Sequence, residues 1–118
     1  MTTTQVADKL VELCRQGKID EALKTLFADN AQSIEANEMM GTKVVTGLDA
    51  IKAKSAAFQA GVEEFHGAKI SDPIIAGNNF AITWAMDATF KGRGRMTIEE
   101  VCVYQVKDGK ITLEQFFY

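Results

Sequence analysis

Three side chains in this sequence could move a proton to or from a small molecule: Glu35, His66 and Glu100. Glu100 lies two residues before Cys102 in an alternating segment, and Glu114 stands among apolar and aromatic residues. A carboxyl group in apolar surroundings favours its neutral form, which raises its pKa toward the range where proton abstraction is efficient. His66 is the only histidine, and with an ordinary pKa of about 6.5 it could share a proton with Glu35 or Glu100. These residue types indicate general acid–base chemistry.

Each of these residues also has a purely structural interpretation. Glu35 could be a residue at a strand end that faces solvent. Glu100 could be a buried acid that bonds Tyr104, Tyr118 or His66 and holds the fold together. A lone histidine on a strand is often satisfied by a backbone carbonyl at the rim of a core. The sequence leaves both sets of interpretations open.

The size and charge of the chain exclude several classes of protein. Its 118 residues, 47% of them hydrophobic, predict one domain over residues 1–118 with its own core. The net charge of −3 gives no reason to expect nucleic-acid binding, and the basic stretch at residues 91–95, KGRGR, has the glycines of a solvated turn. No run approaches the roughly 18 apolar residues of a membrane helix. We therefore expect neither a nucleic-acid partner nor a membrane partner.

The cysteine and histidine content predicts no metal site and no cofactor. Cys14 and Cys102 are far apart and form no CxxC motif, and a second histidine is lacking. The sequence has no glycine-rich loop that could hold a phosphate. Its N-terminus lacks the basic start and apolar block of a secretory signal. Two unpaired cysteines then favour a reducing, cytoplasmic location.

Helical periodicity is confined to the first half of the chain. Apolar residues at i, i+4, i+7 and i+8 predict a first helix that begins with a Thr2–Gln5 capping box and ends by Gly17. A short second helix follows from Ile19, and a third is expected between Gly47 and Gly61. Three N-terminal helices are thus predicted.

The second half of the chain alternates as strands do. Glycine-containing turns separate four predicted strands at residues 63–75, 79–90, 96–108 and 110–118. Asp108–Gly109 is a strong signal for a two-residue hairpin. A short strand is expected at residues 31–37, and Val44–Val45 could extend a strand. Helices followed by a long antiparallel sheet define an α+β fold with helices packed on one face.

Alternation along each strand predicts which side chains face the helices. It places Trp84 and Met86 inside with Glu100 and Cys102, and it places His66 inside or at the rim. The last strand has two possible registers. A simple hairpin sends Gln115 and Phe117 inward, whereas a bulge sends Glu114, Phe116 and Tyr118 inward.

Several strings of the sequence, in this order, resemble the NTF2-like superfamily and its SnoaL-like branch. GKIDEALKTLFADNAQ resembles the family's second helix and first strand, VTGLDAI its entry to the third helix, and VYQVKDGKI its terminal hairpin. The resemblance implies a strongly curved sheet around the helices, forming a cone with an internal pocket. It also favours the bulged register of the last strand.

The resemblance implies a site as well as a fold. Aligned from FAD, the catalytic carboxylate of the ketosteroid isomerases falls on Glu35, whereas their oxyanion-hole tyrosine and acid fall on Leu10 and Cys102. The steroid reaction therefore does not carry over, although the position of the base does. The remaining pocket wall is expected to bind an apolar ligand through six residues: Phe58, Trp84, Met86, Cys102, Glu114 and Tyr118.

The functional expectation is a cofactor-free isomerase, dehydratase or cyclase that moves a proton on an apolar carbonyl or hydroxyl compound. The alternative is a module that binds a hydrophobic ligand without turnover, or an interaction module. Met39 and Met40 either flank the pocket mouth or pack under their loop. Val101, Val103 and Phe117 could form an apolar patch on the convex face of the sheet. That patch predicts a homodimer.

Overall fold

Three helices begin the fold, as predicted. The computed structural model describes residues 1–38 and 43–118, so the expectation for Met39 and Met40 lies outside the described residues. The helices are α1 (Thr3–Arg15), α2 (Ile19–Leu26) and α3 (Leu48–Ala60). The capping box is present, because Gln5 N donates to Thr2 Oγ1 at 3.1 Å and Thr2 N donates to Gln5 Oε1 at 2.9 Å. These bonds satisfy backbone groups that a helix start otherwise leaves unpaired.

Seven strands form one sheet in the order β2-β1-β7-β6-β5-β3, with β4 paired to β5. Their bounds are β1 (Phe27–Ile34), β2 (Val44–Thr46), β3 (Val62–Ile70), β4 (Ile74–Ala76), β5 (Asn79–Phe90), β6 (Gly94–Lys107) and β7 (Lys110–Phe117). Pro73 lies between β3 and β4, which splits the segment predicted as one strand, because proline has no N–H to donate to a ladder.

The sheet is mixed, which corrects the expectation of a fully antiparallel sheet. β1 pairs with β7 in parallel, whereas the other strand pairs are antiparallel. β1 also begins directly after α2 at Phe27, four residues before the predicted start. Hairpin signals report only neighbouring strands, so they could not reveal a pairing between the first strand and the last.

The turn between β6 and β7 contains the bulge that the family pattern favours. Val106 pairs with Ile111, but Tyr104 pairs with Glu114, so β7 carries one extra residue. Both turn residues have positive φ, 51° at Asp108 and 76° at Gly109, as two-residue hairpins of type I′ require. The bulge turns Glu114 toward the helices, on the side that we call the concave face.

The helices cover part of this concave face and form the core with it. The largest fully buried side chains are Leu26, Ile51, Phe80, Ile82 and Ile111, from two helices and two strands. The Phe80 and Tyr104 rings stack with centroids 4.8 Å apart. Burial of such side chains contributes about 1.5–3 kcal/mol each, so this cluster holds the sheet against the helices.

Neither a membrane-spanning helix nor a metal-binding cluster occurs in the part of the chain that the structure describes. Within residues 1–38 and 43–118, no helix has the length and apolar character needed to cross a bilayer. Over the same residues, no group of three or more acidic, histidine or cysteine side chains is arranged to hold a metal ion.

Candidate functional site

A chain of polar side chains crosses the concave face between β1, α3 and β7. Lys54 Nζ donates to Ser33 Oγ at 2.6 Å, and Ser33 Oγ donates to Glu114 Oε1 at 2.7 Å. Lys54 Nζ also lies 3.5 Å from Glu35 Oε2 and 5.3 Å from the centroid of the Phe116 ring. Hydrogen bonds and an ion pair therefore join two carboxyl groups through one ammonium group.

Strand register brings these groups together. Ser33 pairs with Glu114 across the parallel β1–β7 ladder, and Glu114 pairs with Tyr104 on its other side. Glu35 follows β1, where its N–H donates to the Lys43 carbonyl at 2.7 Å. Every second residue of a strand faces the same side, so Ser33 and Glu35 both point toward α3.

Glu114 is the most deeply buried acid of the described residues. Only 7% of this residue is exposed to solvent. Burial raises its pKa to about 7, and the hydrogen bond from Ser33 and the charge of Lys54 act in the opposite direction. Near neutral pH, Glu114 thus exists in both protonated and ionised forms.

Glu100 lies on the same face, further along the sheet. It pairs with Trp84 of β5, and Cys102 Sγ lies 3.6 Å from its Oε1 in donor geometry. Burial raises the pKa of Glu100 to about 7; the Cys102 contact lowers it, and the nearby Glu35 carboxylate raises it. Unlike Glu114, Glu100 is only partly buried. It can therefore exchange a proton near neutral pH and still be reached by a ligand.

Glu35 occupies a different electrostatic position from the other two acids. Its Oε2 atom is buried and, within the described part of the chain, accepts no well-formed hydrogen bond. Its partner is the charge of Lys54 at 3.5 Å, and both side chains are mostly buried. Glu35 is thus the acid of this face that makes direct ionic contact with a lysine.

The predicted wall residues lie where the concave face is less covered. Trp84 and Met86 are partly buried and pair with Glu100 and Ile98, respectively. Phe58 of α3 is partly exposed and contacts the Phe90 ring edge-on at 5.8 Å. Apolar surface that a ligand could contact thus lies beside the carboxyl group of Glu100.

Tyr118 ends the chain near the acids. Burial and the nearby Glu35 and Glu100 carboxylates raise the pKa of its phenol, while backbone groups of Ala36 and Asn37 lower it. About half of its side chain is exposed. Tyr118 therefore lies beside the site, at its solvent side.

Two predicted ligand contacts are corrected by their burial. Cys102 is fully buried and Glu114 nearly so, so neither offers a surface to a ligand in this structure. Cys102 instead contacts Glu100, and burial raises the pKa of its thiol above the ordinary value. Both residues act on the site through their neighbours.

His66 does not lie on the concave face, which corrects the predicted pairing with Glu35 or Glu100. Phe65 pairs with Ala88 and Gly67 with Asp87, so His66 is the extra residue of a bulge in β3. Its Nε2 lies 2.8 Å from Thr89 Oγ1, on the convex face. Because the bulge shifts the alternation by one residue, a strict period of two assigned the wrong side.

Sequence reasoning overlooked two polar residues of the site, Lys54 and Ser33. Lys54 lies three residues after Ile51 and four before Phe58, spacings that place it on the inward side of α3. The helical spacing therefore indicated an inward position, but lysine side chains are usually exposed to solvent, so Lys54 was overlooked. Ser33 has the same parity as Glu35 on β1, which would have placed it inward.

Two other residues extend the open end of the concave face. Phe65 and Met96 both pair with Ala88, one from each side. Ala88 is fully buried, whereas Phe65 is 60% exposed and Met96 is 40% exposed. Together with Phe58 they form an apolar rim next to Trp84 and Met86.

Two surface clefts lie elsewhere on the molecule. One is lined by α1 and the segment after β3, including Arg15 and Asp72. The other lies between the N-terminus and the β6–β7 turn. Neither contains a predicted site residue. An enclosed pocket at Glu100 stays a prediction, and the described site is a partly open apolar face.

A curved mixed sheet with three helices on its concave face, and acids on that same face, defines an NTF2-like protein of the α+β class. The chain belongs to the SnoaL-like domain family, whose profile matches residues 1–118. A search of curated proteins found no match.

Solved structures agree with this assignment. A Mesorhizobium loti protein, described both as a SnoaL-like polyketide cyclase and as a carbohydrate phosphatase, is 38% identical over all of both chains, with a TM-score of 0.94. An NTF2-like protein of Burkholderia pseudomallei is 15% identical over 100% of this chain and 92% of that one, with a TM-score of 0.80. A ketosteroid-isomerase-like protein of Catenulispora acidiphila, crystallised with trimethylamine, is 22% identical over 96% and 84%, with a TM-score of 0.74. The last two similarities concern the fold alone.

Proposed function

We propose that this SnoaL-like protein is a cofactor-free enzyme that moves a proton on an apolar carbonyl or hydroxyl compound, with Glu100 as the general acid–base. The observation that carries the proposal is the position of Glu100. It is a partly buried acid with a pKa of about 7, and it faces the apolar concave side beside Trp84. A general base works best when its pKa lies near the working pH.

The other two acids fit this role less well. Glu114 is nearly inaccessible, so a ligand could not approach it without displacing the core. Glu35 is engaged in an ion pair with Lys54, and its side chain is only 17% exposed. Glu35 thus contributes negative charge close to Glu100, which helps to raise the pKa of Glu100.

The neighbours of Glu100 define the class of substrate. Trp84, Met86 and Ile98 offer partly exposed apolar surface, and Phe58 continues it on α3. Such a wall suits a largely apolar ligand, oriented by a small number of polar contacts. An enolisable ketone or a β-hydroxy ketone fits, since each needs one proton transfer next to a carbonyl. Isomerisation, dehydration and aldol-type cyclisation all share that step.

The direct test is hydrogen–deuterium exchange at the α-carbon of apolar ketones, followed by NMR in deuterated buffer. We expect the wild-type protein to accelerate exchange for at least one member of a panel graded by size and aromatic content. The rate should rise with pH through a midpoint near 7, as Glu100 ionises. Acetone and cyclohexanone, which cover little of the apolar wall, serve as small controls.

A different outcome would favour the alternative, a ligand-binding module without turnover. Saturable binding of the same ketones, detected by chemical-shift changes at Trp84 and Met86 without any exchange, would contradict the enzymatic proposal. Exchange that has no midpoint near neutral pH would contradict the role of Glu100.

We further propose that the protein forms a homodimer through the convex face of the sheet. Val101 and Phe117 pair across β6 and β7 on this face and are 42% and 49% exposed. An apolar pair on a sheet face can contact its own copy about a two-fold axis.

Light scattering at micromolar concentration should give a dimer for the wild type and a monomer for Phe117→Asp. Phe65→Asp, at an exposed phenylalanine on the concave side of the sheet, should leave the dimer intact; a wild-type monomer would contradict the proposal. The predicted cytoplasmic location stays a prediction.

A further inference from the structure

Lys54 is the cation among three acids on the concave face of the described residues. It reaches the cluster from α3, on which Ile51 and Phe58 share its side of the helix. Its Nζ contacts Glu35 Oε2 and Ser33 Oγ. The Phe116 ring lies 5.3 Å from this ammonium group, a separation at which a cation is attracted to an aromatic face. Side chains from β1, from the residue just after it and from β7 thus converge on one positive charge of α3.

We propose that Lys54 is a positioning residue of this cluster: it makes an ion pair with Glu35 and, through Ser33, orients Glu114, so that Glu100 remains the acid that exchanges a proton with the substrate. The role of Glu100 toward a substrate rests on the proposed function. The effect of Lys54 on the titration of the acids does not, because it can be measured on the ligand-free protein.

The number of charges supports this assignment. One ammonium group can compensate one carboxylate, and a second and third ionised acid nearby would remain uncompensated in a mostly apolar region. Buried charges without partners are costly. Glu35 is the acid in direct ionic contact with Lys54, so this pair uses the one compensating charge. Glu100 and Glu114 then keep their protons to a higher pH than exposed acids do.

The directions of the hydrogen bonds follow from the donors available. An ammonium group has three donors and no acceptor, so Lys54 must donate to Ser33. The single hydroxyl proton of Ser33 is then free to point at Glu114 Oε1, 2.7 Å away. Any proton on the Glu114 carboxyl group consequently lies on its other oxygen. Lys54 thereby fixes the orientation of Glu114 without touching it.

Other titratable groups also face these acids and could shift their titration. Glu100 faces Glu35, Lys54 and Cys102, and Tyr118 lies close enough to sense it. Glu114 faces Lys54 and both other acids, and acts on Cys14 and Tyr104. Burial raises the pKa of both thiols and of Tyr104 above their ordinary values, so these groups stay neutral near pH 7. Lys54 is therefore the positive charge that can shift the titration of Glu100 and Glu114.

The experiment is a ¹³C NMR titration of the glutamate side-chain carboxyl groups in the ligand-free protein, with wild type, Lys54→Met and Lys54→Arg compared. Loss of the positive charge should raise the titration midpoints of Glu100 and Glu114 by about one pH unit or more. Lys54→Arg keeps the charge and should titrate close to the wild type. Lys52→Met removes an exposed lysine from the same helix and is the matched control, with unchanged midpoints expected.

A second variant keeps the proposal testable if Lys54→Met does not fold. Ser33→Ala removes the hydroxyl bridge with little change in volume, and should raise the midpoint of Glu114 more than that of Glu100. Unchanged midpoints in a folded Lys54→Met protein, or in Ser33→Ala, would overturn the proposal. If the midpoints shift as expected but no ketone is exchanged, the charge assignment stands and the proposed enzymatic function fails.

Discussion

Glu100→Gln is expected to lower the rate of ketone exchange by about 10²–10⁴-fold, because general acid–base groups contribute factors of this size. The amide has nearly the shape of the carboxyl group but cannot take up a proton near neutral pH. It keeps an oxygen that can accept from Cys102, which lies 3.6 Å from Glu100 Oε1. Ligand binding should consequently change much less than turnover. The measurement is the exchange rate at saturating ketone, together with the dissociation constant from chemical-shift titration.

Glu99→Gln is the matched control for this prediction. Glu99 is the preceding residue of β6, is exposed, and faces the convex side because neighbouring residues alternate. It replaces an acid of the same strand by its amide without changing the concave face, so full activity is expected. An unchanged exchange rate in Glu100→Gln would remove Glu100 from the chemistry. An equal loss in both variants would point to net charge rather than to a specific base.

Glu114→Gln is expected to stabilise the protein at pH 8 by about 3 kcal/mol, although it removes a buried charged group. The pKa of Glu114 is raised from an ordinary 4.5 to about 7, and each pKa unit corresponds to about 1.36 kcal/mol between the two protonation states. At pH 8 the folded protein must hold this carboxylate ionised and buried. The glutamine keeps a carbonyl oxygen that can accept from Ser33, and it carries no charge.

The sign of the pH dependence follows from the same shift. Below about pH 4.5 the carboxyl group is protonated in both states, so it adds no penalty. Between the ordinary value of 4.5 and the folded value of about 7, the unfolded chain releases the proton and the folded protein retains it. Its contribution to the free energy of unfolding therefore falls over this window and is constant above it. Glu100, whose pKa is raised in the same direction, adds a change of the same sign.

The measurement is urea unfolding at several pH values between 4 and 8.5 for wild type, Glu114→Gln and a control. Glu12→Gln replaces an exposed acid of α1 and should follow the wild type. The advantage of Glu114→Gln should be small near pH 4.5 and greatest at pH 8. A variant that is equally stable at every pH, or less stable at pH 8, would show that Glu114 is held as a well-compensated carboxylate.

Local patterns in the sequence predicted most of the fold. The Thr2–Gln5 capping box and the Asp108–Gly109 turn depend on residues close together in the chain, and both are present. The resemblance of several sequence strings to the SnoaL-like family predicted two further features, the curved sheet and the bulge that turns Glu114 inward. The parallel pairing of β1 with β7 was not predicted, because it joins segments about eighty residues apart.

The site was predicted less completely than the fold. Alternation placed Glu100, Trp84 and Met86 on the concave face, as observed. The same rule failed for His66, since the bulge in β3 sends its side chain to Thr89 on the convex face. One inserted residue is enough to exchange the two faces of a strand, and Gly67, which directly follows His66, was the residue in that segment that indicated a bulge.

The sequence by itself determined the class of fold, the helices, and the presence of acids at apolar positions of the sheet, because those features follow from periodicity and from short-range chemistry. Only the tertiary structure decided how the acids differ. Lys54 lies against Glu35 rather than Glu100, and Ser33 bridges it to Glu114. Burial and charge act over a few ångströms in space, and those distances are set by packing of α3 on β1 and β7, which no local pattern in the chain contains.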